Sequence, residues 1–389
     1  MSGKNRNGGT PDNGARRIRV CLVAPSLDIL GGQAVQAARL VQGLQQVDSI
    51  AAGFLPVNPR LTGPLRLLQR VRYIRTVVTS LRYVWALLRR LPEYDIVHVF
   101  SASYFSFLLA PTPAILVGKW LGKKVILNYR SGEAEDHLRR WARSAIPVMR
   151  LADAVVVPSG YLVEVFARVG LQGRIVANMV DFDQFRFRER KPLRPVFLSN
   201  RNFEPHYNVA CVLRAFALIQ RTYPDARLII AGDGTERRSL MRLTRELRLT
   251  NAEFVGRVMP DRMPALYQAA DVYLNAPDID NMPASILEAF ASGLPVVTTD
   301  AGGIPHIVRH GETGLMVPRG DHMALAAGAL RLLADPSLAE RLISCALEEC
   351  RRRYTPQAVV GEWRRVYAEL LAYAQTPAPE LSARPGALS

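Results

Sequence analysis

Residues 280–297 read DNMPASILEAFASGLPVV. A loop acid, Asp280, stands eight positions before a second acid, Glu288. Pro283 lies between them where it suits the first turn of a helix, and a glycine and an apolar strand follow. In that arrangement the amides near Met282 to Ser285, on either side of Pro283 and Ala284, point at a ligand with the positive end of the helix dipole, a place that holds a phosphate. Glu288 is five residues farther on, about 7.5 Å up the axis, a separation like that between a diphosphate and its ribose. A carboxylate accepting from two ribose hydroxyls fits there, and Asp280 is then free to address the sugar on the other side of the diphosphate. The alternative is that Asp280 caps the helix and Glu288 sits solvated on its surface.

Outward from this unit, apolar β-rich runs alternate with helical stretches along the chain, the pattern of parallel sheets covered by helices. Strands are expected at 18–25, 51–57, 94–100, 123–129, 153–159 and 173–179, and a second series at 195–200, 226–232, 252–258, 271–277, 295–301 and 313–318. Between the series, DFDQFRFRERKPLRP (181–195) is charged and poor in aliphatic residues and reads as a linker. Helices are expected at 321–334, 336–353 and 356–374, with Pro336 and Pro356 at helix starts. With 389 residues, two cores are expected rather than one. The fold class is therefore α/β, with two doubly wound, Rossmann-like domains (18–180 and 196–355) facing each other across a cleft. The 356–374 helix is a candidate to cross back to the first domain. The tails, 1–17 and 375–389, are polar or rich in proline and small residues and are expected to be disordered. Ligands of such sheets lie beyond the carboxyl ends of the strands, so the βα loops should carry function.

Two glycine loops follow strands. Gly31 and Gly32 precede the first helix, where backbone can approach a phosphate or sugar oxygen, although a tight turn explains them equally well. Gly232 and Gly234 follow a later strand, but Arg237 breaks the dinucleotide fingerprint, which disfavours a dehydrogenase. Four scattered cysteines give neither a disulfide framework nor a zinc site and point to a reducing compartment. His98 on an apolar strand reads as a core residue, and neither His306 nor His310 has a metal-ligand partner set. No metal is expected. The uncharged run 96–118 contains His98, Pro111 and Pro113 and reads as strand, loop and core helix rather than a membrane span.

The net charge of +16 is uneven: +12 over 1–185 and +4 over 186–389. Much of the excess sits in PLRLLQRVRYIRTVVTSLRYVWALLRRLP (64–92), with seven arginines and no acid. At 100° per residue, Arg72, Arg75, Arg82, Arg89 and Arg90 gather on one side, opposite Ile74, Val77, Val78, Leu81, Val84, Trp85 and Leu88. The apolar side is expected on the sheet and the basic face on anionic lipid headgroups; the bland alternative is a solvated basic face. Nucleic acid is not expected, since no recognition motif accompanies the charge.

The 271–321 region resembles the retaining glycosyltransferases of family 4, which have the two-domain GT-B fold. The acidic pair with seven residues between, then Ala289, Gly293, Pro295, Val296, Val297, Gly302 and Gly303, falls into that family's frame, and VRHGETGLMVPRGD (308–321) looks like its next element. The likeness is specific there and loose in the first domain. It implies that Glu288 binds the donor ribose, that Asp280 faces the donor sugar, and that the backbone at 281–284 meets the diphosphate. It also implies that Gly256 and Arg257 meet the base and that Arg201 neutralises the pyrophosphate, a role suited to a guanidinium. Three departures stand out. Asp280 replaces the usual Glu; His206 and Tyr207 stand where a phosphate lysine is usual; and Arg130 is at or near the place of a first-domain histidine. The implied activity is transfer of a sugar, with retention, from a nucleotide-sugar to a lipid-linked or glycan acceptor. The implied location is cytoplasmic, peripheral at the inner membrane face, with no cofactor and no metal. The departures keep a second reading open, a non-catalytic nucleotide-sugar-binding subunit.

Overall fold

The computed structural model describes residues 16–26, 31–59, 72–101 and 103–375. Residues 1–15 and 376–389 of the expected tails, residues 64–71 of the basic stretch, and the side chains of Arg72 and Ile74 lie outside what is described; of the remaining tail positions, Arg16 pairs with Asp95 and Gln375 ends the last helix, so neither is disordered. Among the described residues, each of the twelve expected apolar runs contains a strand, and every pairing between strands is parallel. The first sheet holds β1 (Ile18–Ala24), β2 (Ile50–Pro56), β3 (Ile96–Phe100), β4 (Lys124–Asn128), β5 (Ala154–Val157) and β6 (Gly173–Ile175), in the order β2-β1-β3-β4-β5-β6. The second holds β7 (Val196–Ser199), β8 (Arg227–Ala231), β9 (Ala252–Gly256), β10 (Val272–Asn275), β11 (Val296–Thr299) and β12 (Leu315–Val317), in the order β12-β11-β10-β7-β8-β9. Strand order reverses between β1 and β3 in one sheet and between β7 and β10 in the other. Crevices open at such switch points.

Helices on the first sheet are α1 (Gly32–Gln45), α2 (Arg72–Arg90), α3 (Phe105–Leu109), α4 (Pro111–Trp120), α5 (Ala134–Arg140), α6 (Ala142–Met149) and α7 (Gly160–Ala167). With the second sheet come α8 (Val209–Thr222), α9 (Arg237–Glu246), α10 (Met263–Ala269), α11 (Ala284–Ser292), α12 (His322–Ala334) and α13 (Pro336–Arg353). The last element, α14 (Pro356–Gln375), returns to the first sheet. Its Val359, Val360, Trp363, Val366 and Tyr367 share one buried cluster with Val20, Leu22, Leu40 and Ile96. Burying the indole of Trp363 completely makes this a strong anchor, since truncating a buried Trp costs roughly 3–5 kcal/mol.

His98 is a core residue, held between the Tyr367 hydroxyl (2.8 Å from Nδ1) and Asn128 (2.9 Å from Nε2). The 96–118 run is β3, α3 and the first part of α4, and no described helix is long and apolar enough to cross a membrane.

The segment 181–195 is pinned to the second sheet by its own charges. Arg190 is buried, its guanidinium donating to the carbonyls of Tyr267 (2.8 Å), Ala270 (3.0 Å) and Ser292 (2.5 Å). Arg188 and Arg194 pair with the buried Asp271.

The basic stretch corrects the expected facing. On α2 the residues packed inward are Tyr83 and Leu87, both fully buried. Val77, Leu81, Trp85 and Leu88 lie 41–66% exposed, beside exposed Arg75, Arg89 and Arg90. Apolar and basic side chains therefore share the outer surface, and Arg82 is half-buried. Helical periodicity defines two sides but does not say which one the sheet takes.

Candidate functional site

A cleft of about 490 Å³ opens between the two sheets at the carboxyl ends of their strands. One wall comes from the start of α1 and the loop after β4. The other comes from the loops after β7, β8, β9 and β10 and from α11. The switch point between β7 and β10 brings Arg201, which follows β7, against Asp280, which follows β10, with Nη2 and Oδ2 2.5 Å apart. Each of those side chains is 11% exposed. Burial works against the Arg201 cation, and Asp280 with nearby tyrosine hydroxyls outweighs it, so the guanidinium stays charged. Its planar face also lies 4.1 Å from the ring of Tyr207.

Asp280 lines the cleft and is also engaged within the protein. One carboxylate oxygen meets Arg201 and the other accepts from the Asn281 amide at 2.8 Å. The helix begins at Ala284, with Pro283 as the residue before it rather than within its first turn. Met282, Pro283, Ala284 and Ser285 line the cleft at this helix start. Asn281 is buried, its side chain bonded to Ser159 of the first sheet's α7 loop, and Asn178 donates to the Met282 carbonyl at 2.5 Å.

Glu288 is buried on α11 and also lines the cleft. It is not a solvated surface acid: Oε1 accepts from Arg39 of α1 at 3.0 Å, and Oε2 accepts from the Tyr267 hydroxyl at 3.0 Å. Burial is the largest influence and raises its pKa from the ordinary value, with Arg39 the leading opposing influence.

The remaining expected residues divide. Gly31, Gly32 and Arg257 line the cleft. No described residue stands within 4 Å of where a Cβ on Gly31 or Gly32 would sit. Gly256 is not among the lining residues; its carbonyl accepts from Gly232 at 2.8 Å. Arg130 lines the cleft, yet its guanidinium is tied to Asn128 (2.9 Å) and Asn178 and lies over Phe100. Burial lowers its pKa to about 10.

Sequence reasoning missed Arg39, Tyr267, Asn178 and Asn200. The signal for Arg39 was present: Gln36 and Arg39 are polar among Ala34, Ala37 and Leu40, at helical spacing from Gly32. Asn200 donates to the Tyr267 hydroxyl at 2.8 Å, which orients that phenol toward Glu288.

Comparison with known proteins adds identity to geometry. Residues 30–184 match the family model described as Glycosyltransferase Family 4, and residues 181–348 match that described as Glycosyl transferases group 1. Phosphatidyl-myo-inositol mannosyltransferase of Mycobacterium leprae is 29% identical over 286 residues, 73% of this chain and 69% of that one. N-acetyl-alpha-D-glucosaminyl L-malate synthase of Bacillus anthracis is 30% identical over 177 residues, 45% of this chain, and the match spans less than half (46%) of that protein. Among solved structures, HepE of Anabaena in complex with UDP and glucose superposes with a TM-score of 0.72 at 16% identity, covering 90% of this chain and 100% of that one. Sucrose-phosphate synthase of Thermosynechococcus elongatus gives 0.71 at 20% identity, covering 92% and 100%. At these identities the structural likeness speaks to the fold, GT-B.

Proposed function

The chain belongs to the group 1 glycosyltransferases of family 4, and on that premise we propose that it moves a sugar from a nucleoside-diphosphate sugar to an acceptor hydroxyl with retention of configuration. The observation that carries this reading is the gathering of Arg201, Asp280, Glu288 and the start of α11 at one switch point. In it, Glu288 takes the donor ribose, the amides at the start of α11 face the diphosphate, and Arg257 lies toward the base. Gly31 and Gly32 line the opposite wall at the start of α1, where backbone can approach donor oxygens. As the bond to the sugar breaks, negative charge grows on the departing diphosphate, and Arg201 with the helix amides provides fixed positive charge for it without a metal. Asp280 then does two things: it holds Arg201 in place, and it presents its remaining lone pairs to the donor sugar. Arg130, fixed by Asn128 and Asn178, presents charge from the first sheet.

The acceptor we propose is lipid-linked or part of a surface polysaccharide, met at the cytoplasmic face of a membrane. Exposed Val77, Leu81, Trp85 and Leu88 beside Arg75, Arg89 and Arg90 support this, as do two relatives whose names carry phosphatidylinositol lipids.

The test is turnover. Purified protein supplied with UDP-, GDP- and ADP-sugars and a membrane extract should release nucleoside diphosphate, and the product's anomeric configuration should match the donor's. Arg201→Gln should slow release by about 100-fold while weakening donor binding far less, because its charge matters most when the leaving group forms. Donor binding without release across a wide acceptor set would favour the non-catalytic subunit, a reading supported by His206 and Tyr207 standing where a second phosphate cation is usual.

A further inference from the structure

Glu288 draws its counter-charge from the other side of the cleft. Arg39 is carried by α1 on the first sheet and lies 249 positions away in sequence, and its Nη2 meets Oε1 at 3.0 Å, with each side chain 11% exposed. The guanidinium is itself positioned. It donates to the Met179 carbonyl at 3.0 Å and lies 5.5 Å from the centre of the Phe185 ring. Gln36, one turn earlier on α1, bonds both the amide and the carbonyl of Met179 at 2.9 Å. Tyr267 takes the other carboxylate oxygen. A carboxylate offers about four lone-pair sites, so about two remain for a ligand.

The groups facing Glu288 are Arg39 from α1, Tyr267 from α10, Tyr273 from β10 and Arg201 from the loop after β7. Arg201 is already committed to Asp280. Arg39 is therefore the cation in direct contact with Glu288, and it is supplied by the opposite wall. A buried acid without a paired cation tends to neutralise rather than remain charged.

We propose that Arg39 is the positioning residue of the donor-binding carboxylate, fixing the charge and orientation of Glu288 from the opposite wall of the cleft. The inference rests on the reading above, in which Glu288 receives the donor ribose. Loss of Arg39 removes the leading influence that opposes burial, so the Glu288 carboxyl takes up a proton at a higher pH than before.

The experiment is calorimetric titration of UDP, GDP and ADP into the full-length protein at several pH values. The parent should bind at least one of them, and its Kd at each pH is the reference for the variants, since the terminal phosphate of a nucleoside diphosphate itself titrates at about pH 6. Arg39→Met, which keeps the apolar stem, should weaken that binding by about tenfold at the acid end and recover as pH rises and Glu288 ionises. Arg39→Lys should restore the parent's profile. Should Arg39→Met not fold, Arg39→Gln carries the same test. A Met or Gln variant whose profile runs parallel to the parent's overturns the proposal, since a packing role would not make binding depend on pH. Glu288→Gln separates the two levels: binding equal to the parent's removes Glu288 from the donor site, and the reading itself falls. Absence of binding by the parent for all three diphosphates overturns both.

Discussion

Gly302 and Gly303 hold Asp280 in place by what they lack. A Cβ on Gly302 would stand 2.0 Å from the Asp280 carbonyl oxygen, and one on Gly303 would stand 2.2 Å from that of Asn281. The Gly303 amide donates to the Asp280 carbonyl at 3.1 Å. Gly303 has an ordinary φ of −86°, so its replacement tests contact alone. Gly303→Ala should cost about 1–3 kcal/mol of stability and lower kcat by at least about tenfold through displacement of Asp280; turnover equal to the parent's would show that the loop tolerates the shift. Glu288→Ala should weaken nucleotide-sugar binding by about 1–3 kcal/mol while the fold survives, measured by calorimetry and thermal unfolding. At this scale the sequence was informative about the second sheet's loops, because acid, helix start and acid follow one another within a few residues. It marked Arg39 as a polar residue on an apolar helix face but did not say what that residue meets. Arg39 and Asn178 reach Glu288 and Met282 across the cleft, and no local spacing encodes such a meeting.

Among the elements, the strands were legible because parallel strands buried on both faces are continuous apolar runs. Their carboxyl ends were read too long. The expected strand 173–179 stops at Ile175, after which Asn178 and Met179 turn to bond Met282 and Gln36. Helix α2 was legible as a helix but not in its facing, since among its described side chains Tyr83 and Leu87 are the fully buried ones and Val77, Leu81, Trp85 and Leu88 lie outside. That stripe and the arginines beside it make peripheral, salt-reversible binding to anionic vesicles the expected behaviour. Each arginine contributes at most about 1 kcal/mol at a charged surface. Replacing Arg75, Arg82 and Arg89 with Glu should abolish sedimentation with such vesicles, and Leu81→Ser with Trp85→Ser should weaken it even at low salt. Donor binding, which belongs to the cleft, should be unchanged in both. Equal sedimentation of the variants and the parent would return α2 to a solvated basic face.

For the whole molecule, the first sheet depends on α14 and on two buried histidines. His98 lies between Asn128 and Tyr367, and His137 bonds the Tyr129 hydroxyl at 2.8 Å. Burial, with Arg130 adding to it, holds the His98 pKa well below its ordinary value, and burial, opposed by Asp136, lowers that of His137 to about 4. Unfolded, both take a proton near about pH 6.5. The stability they confer is therefore complete above that pH and falls as pH drops below it, by up to about 1.4 kcal/mol per pH unit for each proton bound only on unfolding. Urea midpoints should decline from about pH 6.5 toward about pH 4, and His137→Gln should lessen that slope; a midpoint constant across the range would mean that neither histidine is neutral in the folded state. The return of α14 has a further consequence, for the order in which a ribosome delivers the chain. The surface formed by Val20, Leu22, Leu40 and Ile96 is synthesised early, and the residues that cover it, Trp363 and Tyr367, emerge only after the whole second sheet. Until then the nascent first half carries an uncovered apolar face, a target for chaperones, and a message cut short just before residue 356 would yield a product with one finished core and one left open.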